Sequence, residues 1–384
     1  MLVWDYNGMN RKKLRFSPSL CLTHQCNLDC IYCYEQHKDS LAMTFETAKN
    51  CIDWIFENVP KEMDGIEISL TGGEPLLEFE LIKKIFEYVF YDNQKEKIIL
   101  FATTNGTLLT NEMKEWFYEH REHFYLSLSL DGTRETHNCN RSNSFDAIDI
   151  NFFRNTWPNQ SVKMTLSEYS LFNLADNIKY IHSLGFNIEG ANLFEGDFDW
   201  GKGKYINMLI PQLKVLVDFY VENISVPLNK MFDKRLDFCE AKNRPREKLC
   251  GIGTGAIFFD VNGKKYPCNI ITPMTLSPVE LKNISEINFA DNNNFLDDYC
   301  FNNCYIYPIC DACVGSNYIV NKNFSQRDKR KCRINELIVL FIADLQSKRI
   351  LKNPSLFEKS ILYYTIEAIK NIKEIYFNKF KEFF

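Results

Sequence analysis

The stretch SLCLTHQCNLDCIYCYE, residues 19–35, decides the reading of this chain. SLCLTH (19–24) reads as a short apolar strand. It runs directly into Cys26, Cys30 and Cys33, spaced C-x3-C-x2-C, with Tyr32 just before the third thiol. Three thiolates at this spacing suit three irons of a cubane cluster and leave the fourth iron without a protein ligand. A zinc knuckle is the competing reading. It needs a fourth ligand nearby, which Cys21 or His24 offers.

Outward from this loop, apolar runs alternate with amphipathic stretches. Strands are expected at 66–73, 97–106, 124–132, 161–170 and 186–196, and helices at 44–59, 79–92, 108–120 and 174–185. Thr44 suits an N-cap and Glu46 an acidic first turn. Repeated β-α units imply a parallel sheet with right-handed crossovers. Six strands are too few for a closed eight-strand barrel. The expected fold is therefore α/β, a partial (β/α)6 TIM-like barrel with its site at the strand C-terminal ends. The chain divides into an N-terminal segment (1–18), the barrel with a connecting helix (19–236), a small cysteine-rich domain (237–333) and C-terminal helices (334–384). Pro211 marks a kink or a first turn in the connecting helix. The tail carries apolar residues at helical spacing and is expected to pack on the body.

Charged residues make up 25% and hydrophobic residues 45% of the 384 positions, the balance of a globular chain. A net charge of −5 supplies no bulk basic field, so no nucleic-acid partner is expected. No apolar run reaches a membrane span, and the first residues lack a signal peptide's apolar segment. A cytoplasmic protein is expected. Fourteen cysteines in such a chain point to metal clusters rather than disulfides. Cys21, Cys51 and Cys139 fall in no pattern.

The loop Cys26-Asn27-Leu28-Asp29-Cys30-Ile31-Tyr32-Cys33 resembles the signature of the radical S-adenosylmethionine (SAM) enzymes. In that family SAM chelates the open iron, and Tyr32 stands where members place an aromatic near the adenine. Gly72-Gly73-Glu74-Pro75 resembles the element that receives SAM's amino group. Ser129-Leu130-Asp131-Gly132 resembles the ribose-binding strand end. The hydroxyl and carboxylate at i and i+2 point the same way. Asn105, with Thr103 and Thr104, ends the neighbouring strand and is a further pocket candidate. Arg141, in the same stretch as His137, could reach SAM's carboxylate.

Cys250, Gly263 and Cys268, then Cys300, Cys304, Cys310 and Cys313, then Cys332, resemble a SPASM domain, which carries two auxiliary clusters. The central spacing matches, while the flanking spacings are x3 and x2 rather than x2 and x3. Carried over by position, Cys300, Cys304, Cys310 and Cys332 hold the second auxiliary cluster. Cys250, Cys268 and Cys313 hold the first, with Cys239 as a candidate fourth ligand. Without it, that cluster keeps an open iron for a substrate thiolate. The resemblance thus implies three [4Fe-4S] clusters, SAM, and a reductant such as flavodoxin or ferredoxin.

Such enzymes act mainly on peptides and proteins. In the sulfatase maturases, the residue after the cysteine of the Tyr-Pro-Cys turn is an aspartate, the base. Here Tyr266-Pro267-Cys268 is followed by Asn269, and an amide cannot deprotonate a thiol or alcohol. Oxidative crosslinking of a ribosomally made precursor peptide, by a thioether or carbon–carbon bond, is therefore the expected activity. Formylglycine formation on a sulfatase is the alternative. A non-catalytic iron–sulfur carrier or scaffold leaves the residues at the strand ends unexplained. Few residues precede the first strand, so a separate leader-binding protein is one expected partner. Glu195 and Asp197, after the sixth strand, are candidates for substrate binding or proton removal.

Overall fold

The computed structural model describes residues 15–383 except 62, 64, 93–97, 159 and 242–249. Most of the expected N-terminal segment, residues 1–14, thus lies outside the described residues. The elements follow one another as β1 (Arg15–Thr23), α1 (Phe45–Glu57), β2 (Gly65–Gly72), α2 (Phe79–Glu87), β3 (Ile98–Thr104), α3 (Asn111–Glu119), β4 (Phe124–Leu128), α4 (Arg134–Asn140), α5 (Ile150–Thr156), β5 (Ser161–Leu166), α6 (Glu168–Phe172), α7 (Leu174–Ser183), β6 (Asn187–Leu193) and α8 (Gly203–Glu222). Then come β7 (Ala256–Phe259), β8 (Lys265–Tyr266), α9 (Pro278–Asn283), α10 (Asp298–Asn303), α11 (Val314–Asn321), α12 (Lys329–Lys352) and α13 (Lys359–Phe380).

The β-α alternation expected from the sequence is present. A six-stranded sheet has the order β4-β3-β2-β1-β7-β8, and β5 pairs with β6 in a second sheet. A single parallel bridge, Ser129 to Lys163, links the end of β4 to β5. All pairings in the large sheet are parallel except the β7–β8 hairpin. Its register aligns Phe259, Leu20, Leu70, Ala102 and Leu126 in one row. All five are buried. Burying one such large side chain contributes about 1.5–3 kcal/mol. Thr44 caps α1 by accepting from the Thr47 amide at 3.1 Å, as its position suggested.

One pairing has no local signal. AIFFDVNGKKYPC reads as part of the cysteine-rich domain, yet β7 hydrogen-bonds in parallel with β1 and covers its outer edge. Of the two readings of Pro211, the first turn is excluded: it lies inside α8, which continues on both sides of it.

The chain divides into two compact units: residues 1–130, 137–163 and 251–290, and residues 131–136, 164–250 and 291–384. The first unit is built on the large sheet. In the second, the long helix α12 packs on α8 and α13, and α13 buries Ile369, Ile372, Tyr376 and Phe380. No helix among the described residues is long and apolar enough to cross a membrane.

Candidate active site and cluster ligands

The fourteen cysteines all lie within the described residues, and none is joined in a disulfide. Cys26, Cys30 and Cys33 are half-buried in the loop that leaves β1. Three contacts shape this loop. The Cys33 amide donates to the Cys30 carbonyl at 3.0 Å, and the Ile31 amide to the Asn140 carbonyl at 3.1 Å. The Asp29 amide donates to the Ser142 hydroxyl at 3.0 Å. Burial alone would lower the Lys38 pKa; its interactions with Cys33, Cys26 and Glu35, including a bond to the Cys33 sulfur, raise it. Burial pushes the Cys26 thiol up. Three thiols in one short loop, beside an ammonium, suit the three-cysteine ligation of a [4Fe-4S] cluster.

The glycines that end β2 are fitted to the start of this loop. A Cβ on Gly73 would overlap the Gln25 carbonyl and lie 2.9 Å from the Cys26 nitrogen. Gly72, at φ +148°, has no room for a Cβ against the Thr23 carbonyl. The Gly73 and Glu74 amides donate to the Thr23 and Gln25 carbonyls at 2.9 and 2.8 Å. Close approach of protein backbone therefore requires this Gly-Gly pair.

Glu74 is fully buried, and Pro75 begins the short turn after it. Its carboxylate accepts from the Leu76 amide at 3.1 Å, the Thr104 hydroxyl at 2.7 Å and the Asn105 amide at 2.8 Å. Three of roughly four acceptor sites are thus occupied by protein. Burial raises its pKa despite these bonds and the nearby Arg141. The Asn105 side chain donates to Asn27 at 2.8 Å, tying the end of β3 to the cysteine loop.

Arg141 also joins this site. Its guanidinium lies 5.3 Å from the Tyr32 ring centre, within cation–π range. The loop that follows it holds Ser142 and Asn143 at positive φ. His137 is buried against Ser144 at 3.1 Å. Ser129 is buried, and its amide donates to the Thr104 carbonyl at 2.9 Å. Asp131 is buried and accepts from the Thr165 amide at 3.0 Å.

Sequence reasoning missed a second buried network. His24 bonds Asp39 through Nδ1 and Asp260 through Nε2, each at 2.8 Å. Burial alone would lower the His24 pKa; the bonds and charges of the two aspartates outweigh it and raise the pKa. The Cys21, His24 and Asp260 donor atoms lie within 4.8 Å of one another. Both imidazole nitrogens are already engaged. Cys21 donates to the Thr23 carbonyl at 3.5 Å, and burial holds its thiol far above the usual range. Neither residue is free to complete a zinc knuckle. Beside this network, burial pushes the Glu35 carboxyl up to about 7, against the opposing charges of Lys38 and His24.

Asn269 donates its side-chain N–H to the Tyr34 hydroxyl at 2.6 Å. Cys268, just before it, lies near enough to Tyr34 to act on its charge.

In the second unit, Cys300, Cys304, Cys310 and Cys332 come together. Cys304 and Cys332 are each raised by burial first, and then by the charges of Cys300 and Cys310. For Cys332 the rise is to about 12. Cys313 caps α11, its sulfur accepting from the Ser316 amide at 3.4 Å. Cys239 is buried in the turn Leu236–Glu240 and acts on Tyr305. Cys250 is exposed beside residues that are not described. Glu195 pairs with Lys331, and Asp197 with Arg330 at 2.6 Å, so both acids are tied to the basic start of α12.

Residues 20–152 match the family model of the radical SAM superfamily. The chain is similar to the cysteine-type anaerobic sulfatase-maturating enzyme of Clostridium perfringens, 26% identical over 70% of this chain and 78% of that protein. It is also similar to the antilisterial bacteriocin subtilosin biosynthesis protein AlbA of Bacillus subtilis, 26% identical over 52% of this chain and 43% of that protein. Its fold resembles the solved structure of native anSMEcpe with bound AdoMet and Cp18Cys peptide, with a TM-score of 0.63, 18% identity, and coverage of 93% and 99%. With the three-cysteine loop and the fitted glycines, these likenesses identify the chain: it carries a radical SAM domain and is a radical SAM enzyme.

Proposed function

We propose that this enzyme oxidatively crosslinks a ribosomally made precursor peptide in the cytoplasm, through a thioether or a carbon–carbon bond. One observation carries the reading. Asn269 bonds Tyr34, the residue next to Cys33, and so sits against the cysteine loop. At that position it offers an amide, whereas proton removal from a thiol or alcohol calls for a carboxylate.

In this reading Cys26, Cys30 and Cys33 hold the SAM-binding [4Fe-4S] cluster, which supplies reductive cleavage of SAM to a hydrogen-abstracting radical. Gly72, Gly73, Glu74, Pro75, Asn105, Ser129, Asp131 and Arg141 bind and orient SAM, and Tyr32 packs beside it. Cys300, Cys304, Cys310 and Cys332 hold one auxiliary cluster. Cys250, Cys268 and Cys313, with Cys239 as a further candidate, hold the other. For a thioether, the substrate carbon loses a hydrogen atom to the SAM-derived radical. The thiol loses its proton, and an auxiliary cluster held by these cysteines would accept the one electron released as the C–S bond forms. A flavodoxin or ferredoxin supplies the electron that cleaves SAM.

Formylglycine formation is the second reading, favoured by the sulfatase-maturating relative. The test incubates the reduced, iron-loaded enzyme and SAM with any short cysteine-containing peptide encoded beside its gene, as the candidate precursor, and separately with a sulfatase-type cysteine peptide. The expected result is 5′-deoxyadenosine, together with loss of a hydrogen pair per crosslink from the precursor. Aldehyde in the sulfatase peptide, with the precursor unchanged, would reverse the order of the two readings.

A further inference from the structure

Cys300, Cys304, Cys310 and Cys332 have a charged neighbour that the reaction scheme leaves unused. Lys329 opens α12, one turn before Cys332, and its ammonium donates to the Cys300 sulfur at 3.2 Å. The same ammonium reaches Asp297 at 3.4 Å. Asp297 in turn accepts from the Cys300 amide at 2.9 Å as the cap of α10. One carboxylate therefore holds both the sulfur-bearing residue and the cation that touches it.

We infer that Lys329 is a positioning residue that sets the reduction potential of the auxiliary cluster held by Cys300, Cys304, Cys310 and Cys332. The inference rests on the assignment of those four ligands. A cluster gains negative charge on reduction, so an ammonium donating to a ligand sulfur stabilises the reduced form and raises the potential. Lys329 makes this cluster the better electron acceptor. The side chain is about half exposed, so its replacement removes a charge and leaves the buried packing in place.

The test is a potentiometric titration followed by electron paramagnetic resonance, on the iron-loaded full chain with Cys26, Cys30 and Cys33 all changed to Ala. That background removes the SAM-cluster signal. Lys329→Met should keep full iron and shift the midpoint of one auxiliary signal to lower potential. Lys329→Arg, which keeps the charge, should restore most of the shift. An unchanged midpoint in Lys329→Met at full iron overturns the inference, and so does loss of iron in that variant. Cys304→Ala separates the two layers: if it retains all auxiliary iron and both signals, the ligand assignment itself fails.

Discussion

Gly73→Ala is expected to produce a chain that unfolds at lower temperature and holds no intact SAM cluster. The added methyl would overlap the Gln25 carbonyl and press on the Cys26 nitrogen. These atoms are backbone, so no side chain can rotate away. Overpacking a well-filled site costs about 1–3 kcal/mol, and more where the obstacle cannot yield. Relief can come only by moving the segment that presents Cys26. Thermal unfolding and iron counting check this, with Gly203→Ala as control, because a Cβ on Gly203 meets nothing within 4 Å. Wild-type iron and SAM cleavage in Gly73→Ala would sink the argument.

Asp260→Ala is expected to lower stability by about 3–5 kcal/mol, the usual cost of leaving one member of a buried ion pair alone. His24 and Asp260 are 2% and 1% exposed, so water cannot replace the lost partner. Asp39, the other partner, is about half exposed and does not compensate for the missing interior bond. Asp260→Asn keeps a hydrogen-bonding atom in place and should cost less. Urea unfolding of both variants reads the difference. A loss under about 1 kcal/mol in Asp260→Ala would show that the pair contributes no more than an exposed one.

The legible parts of this protein were those encoded in short windows. The strands and helices around the site announce themselves by period, by Thr44 and by the glycine turns. The cysteine loop, the Gly-Gly-Glu-Pro turn and Arg141 fall within one unit of the structure, in contact with one another. What stayed hidden depends on partners far along the chain. Nothing near His24 predicts Asp260, and nothing near Cys300 predicts Lys329. Glu74 carried a visible carboxylate, but the three donors that fill it come from the turn after it and from the end of β3. Glu195 and Asp197 stood out as acids after a strand. Their partners on α12 could not be read from that position.

The parallel pairing of β1 with β7 has a consequence for how the chain is made. β1 emerges from the ribosome well before β7, its outer neighbour, which begins at residue 256. Until then Ser17–Leu20 offers an unpaired edge, the kind of surface that recruits other chains. The cysteine loop hangs from that strand, and Asp260, which fixes His24, follows β7 directly. For the same reason the cysteine-rich segment is not an exchangeable cassette: removing it takes a strand out of the catalytic sheet.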